Sequence, residues 1–392
     1  MSPPSRASEV DILRGVALLG ICIVNMPYLG QPLAELLTPS EALHDRAAQF
    51  VMSTFFEGKF FPLFSFLFGW GVAMQMERDG PDFLPRYLRR LAGLLLIGVA
   101  HAVLVFIGDI LILYAGLGLL LLPLRHWPAA RLMALAAGLA ALGAVTLAVL
   151  AAGLSAVTPP PSMGAGYLGG WGDAVRQRLQ EWPLGFAFVL LFNGPLAMAA
   201  FCAGLAAAKT GFLQPGSAVF AAWHRRLPWL LGIGLPLNLL YAASVQGWLG
   251  EGLLAVAAFA GLAVAGPCLA TAYLILIVQA ARARRFGAGI GAAGRMSLTA
   301  YVAEGVLAGL IFNGYGLGLH GQFGQAGLFG MAVLVYLAVH VLCATWLRFA
   351  RQGPLEALLR AITGGRAGAV RSEPAPGKGG AAAASPDPRA GG

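Results

Sequence analysis

"D-I-L-R-G-V-A-L-L-G-I-C-I-V-N", residues 11–25, decides the fold class. Apart from Asp11, Arg14 and Asn25 it is an unbroken apolar run. Nine more such runs follow, at 51–76, 88–107, 109–124, 129–154, 184–208, 228–246, 253–279, 296–314 and 326–348. A helix needs about 20 apolar residues to cross hydrocarbon. The chain has 392 residues, of which 58% are hydrophobic and 11% charged. Soluble domains carry about 25% charged residues. The sequence therefore predicts an all-α polytopic membrane bundle of about ten helices. The third and fourth runs almost touch and should form a tight helical hairpin.

The net charge of +9 is distributed in alternate connections. Arg78, Arg86, Arg89 and Arg90 follow the second run, and Arg125 and Arg131 the fourth. Lys209, Arg225 and Arg226 follow the sixth, Arg282, Arg284, Arg285 and Arg295 the eighth, and Arg351 and Arg360 the tenth. The opposite connections hold only Arg46, Arg176 and Arg178, among Glu35, Glu41, Asp45, Asp173 and Glu181. The positive-inside rule then places both termini in the cytoplasm of a bacterial inner membrane protein. The basic residues face anionic lipid headgroups. They mark no nucleic-acid surface, because no cluster lies on a soluble domain.

Residues 1–10 and the Gly-, Ala- and Pro-rich tail 364–392 lack the apolar content for a core and read as disordered. Between them lie a first membrane half at 11–154, an outer loop at 155–183 and a second half at 184–363. Pro354 to Ile362 reads as an interfacial helix with Leu355, Leu358, Leu359 and Ile362 on the bilayer. The first run lacks a cleavage site and is not a removable signal peptide. Cys22, Cys202, Cys268 and Cys343 have no metal spacing and read as packing residues. The shared "R-R-L" at 89–91 and 225–227 reads as topology rather than a repeat.

Ionisable groups inside a span are costly, and by default they face a cavity, a partner or a substrate path. Asp11 and Arg14 can pair across one helical turn. Asn25 returns to nearly their face, roughly 16 Å further out. Together they form a stripe read as substrate-binding. His101 lies roughly 20 Å from the cytoplasmic face, at a similar depth. It is a candidate general base or acyl carrier that Asp109 could orient. The two are about 80° apart on an unbroken helix, so they meet only if it breaks near Gly108. Tyr114 follows inside the fourth run. Glu304 sits near mid-membrane, nine residues past Arg295, as the third catalytic candidate. Glu57 and Lys59 flank Gly58 at the outer side, where Lys59 either meets a ligand or snorkels to the headgroups. Phe55 and Phe56 read as an interfacial belt. His44, His320 and His340 fall into no pattern. Nucleotide loops, nucleophile elbows and metal motifs are absent from the sequence.

Several stretches, taken in order, resemble the YeiB family of bacterial membrane proteins. They are "V-D-I-L-R-G-V-A-L-L-G-I-C-I-V-N" (10–25) and "F-F-E-G-K-F-F-P-L-F-S-F-L-F-G-W-G" (55–71). "L-L-L-I-G-V-A-H-A-V-L-V-F-I-G-D-I-L-I-L-Y-A" (94–115) and "G-R-M-S-L-T-A-Y-V-A-E-G" (294–305) follow, with "G-P-L-E-A-L-L-R-A-I-T" (353–363) last. This chain has Glu304 where the family usually has an amide, and Ala357 where it usually has an aromatic residue. The N-terminal half is also similar to transmembrane acyltransferases of the heparan-α-glucosaminide N-acetyltransferase type, through Asp11, Arg14, Gly15 and Asn25. That similarity implies acyl-CoA as donor substrate, no resident cofactor or metal, and a sugar or small-molecule acceptor outside the cytoplasm. It also implies a histidine soon after the asparagine, where this chain has His44. An acyltransferase is thus one reading. A proton-coupled transporter or exporter using Glu304 and His101 is the second, and a non-catalytic scaffold or sensor the third.

Overall fold

The computed structural model describes residues 6–36, 38, 40–154, 164–250, 252–283 and 290–364. All regular elements there are helical. The first half comprises α1 (Arg6–Gly30), α2 (Leu33–Leu36), α3 (Leu43–Phe55), α4 (Phe60–Asp79), α5 (Phe83–Leu104), α6 (Leu111–Leu121) and α7 (Ala129–Leu154). The second comprises α8 (Trp171–Lys209), α9 (Ala218–Arg225), α10 (Leu227–Val245), α11 (Leu253–Ala260), α12 (Leu262–Arg282), α13 (Ile290–Arg295), α14 (Ser297–Phe312), α15 (Gln325–Phe349) and α16 (Pro354–Ile362).

Among the described residues, seven helical stretches are long and apolar enough to cross a membrane. One, Leu43–Leu104, embraces α3, α4 and α5, and two shorter apolar stretches, Leu111–His126 and Ser297–Phe312, accompany them. The protein is a membrane helix bundle. Every apolar run of the sequence falls on helix, with two breaks that hydropathy does not show. The run 51–76 is split at Gly58, whose φ of 75° turns the chain between α3 and α4. The run 253–279 is split at Gly261 between α11 and α12.

α1 is central, packed by α4, α12, α13, α14 and α15. Leu13, Leu18, Ile23 and Met26 are almost wholly buried along it. At its first turns the motif glycines account for themselves. A Cβ on Gly15 would overlap the Ile290 carbonyl, and one on Gly294 would overlap the Asp11 carbonyl. Small residues there let α1 and α13 touch backbone to backbone, as membrane helices do at their tightest crossings. Tyr336 of α15 donates to the Gly15 carbonyl at 3.1 Å. Glu9 holds Arg282 through two contacts of 3.1 Å, fastening α1 to the end of α12.

Four expectations need correction. The helix α8 begins at Trp171, so residues 171–183 belong to a 39-residue helix rather than to a loop. At about 1.5 Å per residue it outruns a bilayer core. Arg178 and Glu181 consequently point inward and are buried. Residue Lys59 does not snorkel: it is fully buried, and its Nζ donates to the Ser53 carbonyl at 2.6 Å, capping the end of α3. The helix α16 turns Leu355 and Leu359 onto the protein core, leaving Leu358 exposed. A Cβ on Gly93 of α5 would press on Leu359 and Ile362. Finally, the N-terminal segment is helical from Arg6. The stretch 1–5, the tail beyond 364, Arg284 and Arg285 lie outside the described residues.

Candidate functional site

α5 ends at Leu104, and that ending builds the site. The amides of Val105 and Phe106 both bond to the His101 carbonyl, at 2.8 and 2.9 Å, as the chain leaves the helix. Residues 105–110 reverse direction and deliver Asp109 to the start of α6. There its Oδ1 accepts the Ile112 amide at 3.0 Å, a side-chain cap for a helix whose first amides lack partners. Its Oδ2 lies 2.8 Å from His101 Nδ1. A carboxylate in that position fixes the tautomer with the proton on Nδ1, leaving Nε2 as a lone-pair acceptor. Both residues are buried, at 3% and 2% exposure.

His101 Nε2 and Glu304 Oε1 have no hydrogen-bond partner among the described residues. They face a small cleft lined also by Cys22, Asn25, Tyr301 and Gly305. Its volume, about 10 Å³, is that of one water-sized sphere. Tyr301 tilts against the imidazole with ring centroids 5.0 Å apart, and Phe106 meets it edge-on at 6.5 Å. A Cβ on Gly305 would press on Nε2, so only glycine leaves the imidazole its space. Asn25, Phe106 and Tyr301 line both the cleft and an adjoining cavity of about 760 Å³. That volume lies within the ~300–1,000 Å³ of small-molecule sites. Its walls come mainly from the C-terminal half of α1, from α8, α10 and α11, and from Phe56 to Phe61.

The structure thus unites His101, Asp109, Glu304 and Asn25. Glu57 joins the cavity wall, accepting the Tyr241 hydroxyl at 2.9 Å. Phe56 also faces the cavity, while Phe55 is exposed. Tyr114 stands apart in the core: its hydroxyl meets Ser65 at 2.6 Å and the Phe61 carbonyl at 3.1 Å. Lys59 lies behind the wall, 5.6 Å from the Tyr241 ring centre. Asp11 and Arg14 pair at 3.7 Å at the opposite end, with Arg295 exposed beside them. Leu18 and Cys22, which continue their stripe toward Asn25, are packed solid at 0% and 3% exposure. Among the described residues, these packed side chains fill the stripe between Arg14 and Asn25.

His44 is exposed on α3, far from this chemistry in character, with 75% of its side chain accessible. His320 is buried on the cavity wall, its Nδ1 3.3 Å from the Leu29 carbonyl. Burial holds its imidazole below the ordinary histidine range. Tyr301, Gly305, Tyr241 and Glu181 belong to the site but carry no sequence signal beyond their types. Only the "T-A-Y-V-A-E-G" spacing, with Tyr301, Glu304 and Gly305 at helical intervals, could have grouped two of them with Glu304.

Residues 207–366 match the family model described as protein of unknown function (DUF418). The chain is 30% identical to the uncharacterized protein YxaH of Bacillus subtilis, over 91% of this chain and 94% of that one. It is 30% identical to the uncharacterized protein YeiB of Escherichia coli, over 91% of this chain and 96% of that one. An uncharacterized 39.9 kDa protein from the amylase 3′ region of Bacillus acidopullulyticus is 27% identical, over 91% of this chain and 94% of that one. No solved structure matches the chain. Coverage of nearly the whole length at this identity shows that the chain belongs to the YeiB-like, DUF418-containing family of membrane proteins.

Proposed function

We propose that this protein is an acyltransferase of the bacterial cytoplasmic membrane, with both termini in the cytoplasm, acting on an acceptor bound in the outer cavity. The observation that carries the reading is the His101–Asp109 pair at 2.8 Å, with Nε2 unpartnered among the described residues at the foot of that cavity. An oriented imidazole of this kind is a general base. Nε2 takes the proton of an acceptor hydroxyl or amine as its oxygen or nitrogen attacks the acyl carbonyl carbon. The carbon–sulfur bond of an acyl-CoA thioester breaks, and the thiolate recovers the proton from the imidazolium. The Asn25 amide donates to the carbonyl oxygen as it gains charge. Glu304 assists proton transfer from the facing wall. Arg14 holds the anionic part of the donor at the cytoplasmic mouth, with Arg90 in electrostatic reach. Because Leu18 and Cys22 close the stripe, the donor arm enters only after α1 parts from its neighbours.

A second reading, proton-coupled transport, is favoured by the same closure. A cavity walled by the outer half of α1 and sealed toward the cytoplasm is what one state of an alternating-access carrier requires. One experiment separates the two: purified protein is incubated with radiolabelled acetyl-CoA, and release of CoA is followed with and without acceptor amines and alcohols. His101-dependent release supports transfer. Its absence at millimolar donor, together with proton-driven uptake lost in Glu304→Gln, supports transport.

A further inference from the structure

The cavity has a polar corner that the His101 chemistry does not use. Tyr167 donates to Glu181 Oε2 at 2.7 Å, and Gln177 donates to Oε1 at 2.7 Å. His320 stands beside Tyr167, ring centroids 5.3 Å apart, and its Nε2 has no partner among the described residues. Tyr167, Glu181 and His320 all line the cavity. Behind them Arg178, 2% exposed, lies 5.6 Å from the Tyr167 ring centre and donates to the Leu104 carbonyl at 2.9 Å.

The other acid on the wall repeats the pattern. Glu57 accepts from Tyr241, and the buried Lys59 lies behind that tyrosine. Each carboxylate therefore has a tyrosine in front and a buried cation in reserve. The charges cancel in pairs, so the wall attracts neither an anion nor a cation strongly. What it offers is acceptor lone pairs, on Glu181 and on His320 Nε2. Much of the remaining wall is apolar and aromatic, including Phe61, Phe188, Phe192 and Phe259. At about 760 Å³ the cavity is in the size range of sites that enclose a small-molecule ligand.

We infer that the cavity binds a single-chain amphiphile with an uncharged, hydroxyl-bearing headgroup. The chain lies against the phenylalanines, and the headgroup hydroxyls donate to Glu181 and to His320 Nε2. A phosphate headgroup would face two carboxylates, and an ammonium headgroup would gain little from acids whose charge is offset by Arg178 and Lys59 behind them. This assignment names the acceptor class for the proposed transfer and rests on that reading, but binding can be measured without it.

The test is calorimetric titration of the full chain in nanodiscs, against empty nanodiscs, with decyl glucoside, decyl phosphate, decyltrimethylammonium and free glucose. Saturable binding of decyl glucoside is expected, at least about tenfold tighter than of the other three. His320→Phe should weaken it about tenfold, the cost of one lost buried hydrogen bond. Ala187→Trp and Ala255→Trp, two independent ways of filling the cavity, should abolish it. Equal or tighter binding of the phosphate, the ammonium or free glucose overturns the inference. So does glucoside binding that survives both tryptophan variants in folded protein. Acyl transfer that depends on His101 without glucoside binding would sink the ligand assignment alone.

Discussion

Glu356 Oε2 accepts the Thr299 hydroxyl at 2.6 Å, while its Oε1 takes the backbone amides of Leu298 and Thr299 at 2.8 and 3.1 Å. Thr299 in turn accepts the Leu355 amide at 3.1 Å. The "G-P-L-E" motif is therefore a lock: the first turn of α16 caps the first turn of α14, the helix that carries Tyr301 and Glu304.

Breaking that lock should cost stability without touching the cleft. Glu356→Ala removes the carboxylate from three donors, and about 1–3 kcal/mol should be lost. A thermal melt in detergent should show a lower midpoint, while Glu356→Gln, which keeps one acceptor oxygen, should lie between. Equal midpoints for all three proteins would show that the cap is dispensable.

The α1–α13 crossing gives a sharper contrast. Gly294→Ala drives a methyl into the Asp11 carbonyl, and neither backbone can retreat without opening the crossing. Folded yield should collapse. Gly71→Ala places the same methyl in open space on α4, so helix propensity alone should leave it neutral or up to ~1 kcal/mol more stable. Size-exclusion profiles of the two variants read the difference directly.

His320 sets a pH dependence. Burial holds its folded-state imidazole below the unfolded value, so near neutral pH both states are uncharged there. As pH falls below the unfolded value of about 6.5, the unfolded chain takes a proton that the folded one resists. Stability should drop through that window and level off below the folded value. Melts across pH 4.5–8 (a range covering about 6.5) should show less of this slope in His320→Phe than in the wild type.

The bundle was legible because hydropathy reports burial in lipid directly: each apolar run lies on helix. The motifs were legible as patterns but not as causes. Nothing in "G-R-M-S-L-T" says that Gly294 serves a helix crossing or that Thr299 awaits a carboxylate 57 residues on. Periodicity supplies only an unbroken helix, which puts Asp109 about 80° from His101; the reversal at 105–110 makes the contact. Lys59 departs from the headgroup region for a related reason. Its depth in sequence is interfacial, but Gly58 folds it back under α3. Arg178 and Glu181 were hidden by polarity, since a helix of 39 residues with a charged first third reads as loop.

The central claim is that His101, oriented by Asp109, is the base. The most direct measurement is single-turnover release of CoA from radiolabelled acetyl-CoA by wild type, His101→Gln and Asp109→Asn, each first shown to be folded by its elution profile. General-base catalysis contributes about 10²–10⁴-fold. His101→Gln should lose that factor, and Asp109→Asn, which leaves the imidazole in place but frees its tautomer, should lose a smaller part of it. Release that proceeds at the wild-type rate in His101→Gln would contradict the account.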